Sequence, residues 1–163
     1  MEENLLWLSV QRFLGKEARL LDEKKWDDWL SLYDPEAEYW LPAMGDDGEL
    51  IQDPQREISL IYYPNRAGLE DRVFRIRTGM SSASTPEIRT LHMFTLLSTE
   101  QVGNSVNARS SWITNSIRED HVIVYRGWSD YDLVAAGSDS WSIKKKKTVI
   151  MDPITEVVDF YNV

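Results

Sequence analysis

The sequence predicts an α+β domain, with helices first and then a long, mostly antiparallel sheet curved over them. Three observations predict it. Near the start, Leu6, Val10, Phe13, Leu14, Ala18 and Leu21 recur at helical spacing. From Leu91 onward the apolar period is close to two, broken by the turn signals Gly103-Asn104 and Gly137-Ser138-Asp139. Between these regions Glu57–Thr78 changes period once, at Pro64-Asn65, from a short apolar run to a helical face.

The elements follow in order. Asn4–Leu21 reads as an amphipathic helix. A second helix is expected over Lys25–Tyr33, where Trp26, Trp29, Leu30 and Tyr33 share a face. Asp34-Pro35 should end it, because proline disfavours helical geometry in the residue before it. Tyr39-Trp40-Leu41 reads as a short strand stopped by Pro42. Ala43–Gln55 is a loop with a hairpin turn at Asp47-Gly48. Its acids Asp46, Asp47, Glu49 and Asp53 lack the alternating spacing of an EF-hand, so they read as a solvated turn.

Ile58–Tyr63 is the next strand, and Arg66–Arg77 is a helix burying Leu69, Val73 and Ile76. Arg66–Glu70 and Asp71–Arg75 are opposite charges at i,i+4. Asn65 should cap this helix and Gly79 stop it. Met80–Glu87 is a Ser/Thr/Pro-rich loop. Leu91–Thr99, Val106–Ile117, Val122–Leu133 and Trp141–Met151 then form an antiparallel meander. The aromatic tail Val157–Val163 is expected to dock.

Composition narrows the function. The 163 residues read as a single domain, 1–163, with 42% hydrophobic content. The absence of cysteine excludes disulfides, zinc–thiolate sites and cysteine-ligated clusters in this chain. A net charge of −9 argues against nucleic-acid and anionic-membrane partners. No apolar run approaches the roughly 20 residues of a membrane helix. The first eight residues lack a basic leader, so the expected location is cytoplasmic. Seven Trp and seven Tyr fit either an aromatic core or a subunit interface.

Four constellations bear on chemistry. For iron, only His92 and His121 are available, at distant points of the sheet, so no metal site is expected. For acid–base work, His92 and Arg89 with Asp22 or Asp34 would make a set; the other reading is a structural polar network of Arg89 and His92. The run Lys144–Lys147 alternates across a strand, and reads as a charged segment near a sheet edge or a salt-bridged partner contact. The corner Tyr62, Tyr63, Asn65 and Arg66, with Arg72, Arg75 and Arg77, reads as a subunit interface or as a helix packed on its own sheet. The meander, with Trp112, Trp128 and Trp141 among Ser, Asn and Arg, offers a second broad surface.

Several stretches carry a resemblance: Glu17–Asp22 with Trp26–Tyr33, Glu38–Ala43, Asp53–Tyr63 continuing through Asp71–Ile76, and Arg89-Thr90 with His92. Together they resemble the small (beta) subunits of aromatic-ring-hydroxylating dioxygenases, in the benzoate and anthranilate branch. Two places depart from that pattern, Met93–Leu97 and Asp152-Pro153-Ile154. The element order resembles the nuclear-transport-factor-like, or cystatin-like, cone.

The resemblance implies a structural subunit without catalytic or cofactor-binding residues of its own. Its partner would be a large (alpha) subunit holding a Rieske [2Fe-2S] cluster and a mononuclear iron. The small subunits would form a trimer within a hexamer of three large and three small chains, and a reductase would supply electrons from NADH. Outside that resemblance, a stand-alone pocket enzyme (isomerase or dehydratase) and a ligand-binding module of the same cone remain alternatives.

Overall fold

Helix α1, Glu2–Asp22, presents the predicted stripe. Val10, Phe13, Leu14, Leu20 and Leu21 are buried, and so is Glu17, which lies on the same face. The helix ends with Lys24 in the left-handed region and Lys25 N–H bonded back to Leu20 at 2.9 Å. The computed structural model describes residues 2–45, 47–79, 87–137, 140–151 and 159–163. Most of the expected 80–87 loop, Asp46, Ser138-Asp139 and the Asp152-Pro153-Ile154 departure lie outside them.

Helix α2 is shorter than predicted, Trp26–Leu30, and Tyr33 already begins strand β1, Tyr33–Pro42. Proline did not set the boundary. Pro35 sits where the pairing of β1 is irregular, between Tyr33↔Ile143 and Glu38↔Lys145, so its missing N–H breaks no ladder bond. The expected three-residue strand is thus the end of a ten-residue one. The turn at Asp47-Gly48 forms, closed by the bridge Met44↔Leu50.

Strand β2 is Ser59–Tyr63 and helix α3 is Ala67–Arg77. Leu69 and Val73 are fully buried, and the Arg66–Glu70 pair forms at 2.8 Å. The N-cap position is Arg66, without a side-chain cap, and not the expected Asn65, whose Oδ1 instead accepts from the N–H of Ala67 in a turn just before the helix; Gly79 has φ +67, as its place after the helix requires.

Strands β3 (Arg89–Val102), β4 (Ser105–Arg118), β5 (His121–Ala135) and β6 (Trp141–Ile150) are the predicted meander. The sheet has six strands in the order β2-β1-β6-β5-β4-β3. All pairs are antiparallel except β1 with β6. The result is a mixed α+β fold with a curved, unclosed sheet over the N-terminal helices. Bulges at Leu96/Ser98 and Asp132/Leu133 sit within the curve.

The inner face of β4 is Val106, Ala108, Ser110, Trp112, Thr114 and Ser116, all buried. The tail closes the remaining side. Phe160 stacks on Trp29 with ring centroids 4.6 Å apart, and Asn162 donates to Ser116 at 3.1 Å.

Gly127 in β5 has no room for a side chain. A Cβ there would lie 1.8 Å from the Val149 carbonyl oxygen. Gly127→Ala should therefore force the β5–β6 backbones apart at a cost of about 1–3 kcal/mol, read as a lower denaturant midpoint. An unchanged midpoint would mean the strands do not approach as described.

Candidate functional site

Two regions compete for function: the space enclosed between α1 and the sheet, and the outer surface. The enclosed space is dominated by a buried ion pair. Lys146 Nζ donates to Glu17 Oε1 at 2.9 Å, and both side chains are under 5% exposed. Tyr33 donates to the same carboxylate at 2.7 Å and Tyr131 at 3.1 Å. Burial pushes the Glu17 carboxyl up, but the Lys146 ammonium and the hydrogen bonds from Tyr33, Lys146 and Tyr131 outweigh it and hold it below the usual range. Burial, with the Glu17 charge beside them, pushes the Tyr33 and Tyr131 hydroxyls well up, so both keep the proton they donate to Glu17.

This places the lysine run differently from the expectation. Strand β6 lies between β1 and β5 and is not near an edge. Alternation holds from Lys145 to Lys147, with Lys146 inward and Lys145 and Lys147 over the Trp40 ring, but a register shift beside Ile143 breaks it at Lys144. Lys144 pairs with Asp34 and Lys145 with Glu38, at 3.1 and 2.7 Å. These lysines are consumed inside the chain.

The second interior feature is His92. Its Nδ1 lies 2.6 Å from Asp22 Oδ1, and its backbone N–H donates to Asp22 Oδ2 at 3.0 Å. Thr90 Oγ1 donates to the same carboxylate at 2.9 Å. Asp22, the last residue of α1, thus grips the otherwise free edge of β3. Burial raises the Asp22 carboxyl, but the hydrogen bonds from His92 and Thr90 outweigh it and leave it lowered. The structure does not bring Arg89 to this pair: residues 89 and 92 point to opposite faces of the strand, and Arg89 is exposed. The cavity bordered by Glu17, His92, Phe94, Trp112, Tyr131 and Lys146 is only about 30 Å³.

The corner residues are brought close but not left free. Tyr62 donates to Glu38 at 3.4 Å, and the Tyr63 ring packs on Tyr39 with centroids 6.4 Å apart. Arg66 reaches the Tyr33 carbonyl at 2.9 Å. Arg72, whose charge acts on Tyr63, clasps the buried carboxylate of Asp159 through Nε at 2.8 Å, fastening the tail to α3. Arg77 pairs with Asp27 at 2.8 Å, and Arg75 is exposed.

The expected row of tryptophans on the meander surface is also corrected. Trp112 points inward, and Trp141 donates to Ser9 of α1 at 2.8 Å; Trp128 alone is on the outer side. The outer face instead exposes Leu91, Met93, Ile113, Val122 and Val124, each 37–59% accessible. They are contiguous: Met93 faces Ile113, and Leu91 and Val124 both flank Asn115. Their alternation with inward residues was readable in the sequence, but the sidedness was not. Strand β3 forms the open edge beside them.

Among the described residues no group of three His, Asp or Glu side chains comes together to hold a metal ion. His92 is committed to Asp22, and His121 is exposed beside Asp120. With no cysteine either, these side chains do not fit a Rieske cluster or a facial-triad iron. No described helix is long and apolar enough to cross a membrane.

Residues 16–156 match the family model described as "Ring hydroxylating beta subunit". The chain is 43% identical over 155 residues to benzoate 1,2-dioxygenase subunit beta of Acinetobacter baylyi, covering 94% of this chain and 92% of that protein. It is 43% identical over 158 residues to the 2-halobenzoate 1,2-dioxygenase small subunit of Burkholderia cepacia, covering 96% of each. The crystal structure of the beta subunit of the benzoate 1,2-dioxygenase from Burkholderia mallei matches with TM-score 0.77 and 41% identity, over 94% of this chain and 95% of that one.

Two charge reversals on α3 should separate fold from surface. Arg72→Glu sets a second carboxylate against buried Asp159 and should cost about 3–5 kcal/mol in the chain alone. Arg75→Glu should stay within about 0.5 kcal/mol. Denaturation of both variants checks this; equal stabilities would remove the tail latch. The lowered carboxyls fix the sign of the pH response. The contributions of Glu17 and Asp22 are full above their unfolded values of 4.5 and 3.8, and are lost as pH falls through the folded values. Acid titration of stability should therefore be shallower in Asp22→Asn than in the wild type, and parallel curves would contradict the assignment.

Proposed function

The chain belongs to the ring hydroxylating beta subunit family, and from that premise we propose that it is the structural small subunit of a Rieske-type dioxygenase acting on benzoate, anthranilate or a similar aromatic acid. The observation that carries the proposal is the 43% identity with benzoate 1,2-dioxygenase subunit beta across nearly the whole of both chains. The large subunit supplies the Rieske cluster, the mononuclear iron and the substrate pocket. A reductase feeds it electrons from NADH. This chain contributes a scaffold.

The interior supports that division of labour. An aromatic acid needs a pocket of several hundred Å³; the space beside His92 is about 30 Å³, and the cavity of about 240 Å³ beside Trp26, Arg77 and Tyr161 has no histidine in its lining. Trp112, Phe94 and the Glu17–Lys146 pair crowd the space beneath α1.

Assembly then rests on the outside. A ring of three small subunits, within a hexamer of three small and three large, requires two different patches on each chain. The exposed apolar face of β3–β5 is one, since contiguous apolar surface on a soluble chain marks a contact. The corner Tyr62, Tyr63, Asn65 and Arg66, with exposed Arg75, is the other, shared with the large subunit. Arg72 and Arg77 support this patch through their internal pairs.

Co-expression with a Rieske large subunit, followed by mass and iron analysis, tests the reading. The complex should hold iron and equal numbers of the two chains, and the small chain purified alone should hold no stoichiometric iron. A small chain that ignores every large subunit and turns over an aromatic acid by itself would overturn it. Met93→Glu or Ile113→Glu should weaken assembly about tenfold or more while leaving the fold intact. Light scattering across a dilution series reads this directly, and undiminished assembly of both variants would exclude the β3–β5 face.

A further inference from the structure

A cavity of about 240 Å³ lies where the ends of α1 and α3, the start of β3 and the tail meet. Its walls are largely apolar: Leu21 from α1, Trp26 from α2, Ile76 from α3, Ile88 just before β3, and Tyr161 from the tail. Leu21, Trp26 and Tyr161 are buried. The Trp26 and Tyr161 rings stand with centroids 6.3 Å apart and give the cavity an aromatic side. Phe160 meets both rings edge-on, at 5.6 and 5.5 Å, so that side is preformed.

The rim is charged. Among the described residues the lining carries two cations, Lys24 and Arg77, and one carboxylate, Glu87. Lys24 pairs with Glu87, and Arg77 with Asp27 at 2.8 Å. Both carboxylates are 79% exposed, while Lys24 is 29% and Arg77 47% exposed. The acids therefore stand out in water and the cations lie closer to the apolar walls. Exposed pairs of this kind are weak, so an incoming anion can exchange with Glu87 or Asp27 at little cost. A cationic guest would meet two like charges, and a neutral one would leave both unused. Size agrees: an apolar cavity of about 150 Å³ takes benzene, and the larger volume here leaves room for a substituent.

We propose that this cavity binds one small aromatic carboxylate, with its ring against Trp26 and Tyr161 and its charge met by Lys24 and Arg77. Its role is binding and not turnover. No histidine lines it, and the Thr90 hydroxyl on its wall already donates to Asp22. The site stands whether or not the chain joins a large subunit.

Titration of the full chain with benzoate, followed by methyl NMR, tests the proposal. The methyl signals of Leu21, Ile76 and Ile88 should shift saturably, with a Kd of about 1 mM or tighter. The Ile113 signal on the outer face should stay in place. Benzyl alcohol keeps the ring without the charge and should bind about tenfold more weakly. The double variant Lys24→Gln with Arg77→Gln should bind benzoate no better than benzyl alcohol. Unsaturated shifts at about 10 mM benzoate, equal binding of the two compounds to the wild type, or undiminished benzoate binding in the double variant would each overturn the proposal. Should the double variant fail to fold, the two compounds on the wild type decide the question alone. None of these outcomes bears on the structural-subunit reading, which co-expression tests separately.

Discussion

A carboxylate and an ammonium meet inside the sheet, and the rest of the fold is arranged so that they can. Glu17 is on α1 and Lys146 is on β6, far apart in sequence. Neither charge is tolerable there without the other, since leaving one alone in the interior costs several kcal/mol. The two tyrosines complete the shell: Tyr33 opens β1 and Tyr131 is on β5. One carboxylate therefore ties α1 to three adjacent strands. The constraint ties the rotation of α1 to the register of β6, and it places Tyr33 at the start of β1, six residues before the Tyr39 start that the sequence predicts.

The same constraint decides where function can reside. A helix held this deep leaves little open volume beneath it, and the aromatic side chains of β3 and β4 take most of what remains. The tail adds a second closure, with Asp159 held by Arg72 and Phe160 laid on Trp29. What stays open is a cavity of about 240 Å³ beside Trp26, Arg77 and Tyr161, together with the outer face of the sheet. That face carries apolar side chains on β3–β5 and an alternating ladder of Arg109, Asp130 and Lys147 further along.

Much of this was legible in residue pattern. Periodicity located α1, α3 and all four strands of the meander, because one buried face imposes one period. Pro35 misled, since proline was weighed as a helix stop when irregular strand pairing absorbs it equally well. Lys144–Lys147 misled for a deeper reason. A run of like charges looks solvated until the chain supplies Asp34, Glu38 and Glu17 to match it, and those partners are set by topology. The pairing of β1 with β6 is parallel and of long range, so nothing local announces it. Asp22 was among the carboxylates considered beside His92, and the structure selects it over Asp34 because α1 ends against β3. The sidedness of Trp112 and Trp141 was hidden because alternation fixes which residues share a face, not which face is inside.

The most direct test of the buried pair as the organising contact is a double-mutant cycle on Glu17→Gln and Lys146→Met, measured by chemical denaturation. Each single change should cost about 3–5 kcal/mol, because it strands the other group. The double variant should be markedly more stable than the sum of the two losses implies, with a coupling of about 1–3 kcal/mol. Two small, additive losses would contradict the claim: α1 would then be held by its apolar stripe alone, and the ion pair would be incidental to the fold.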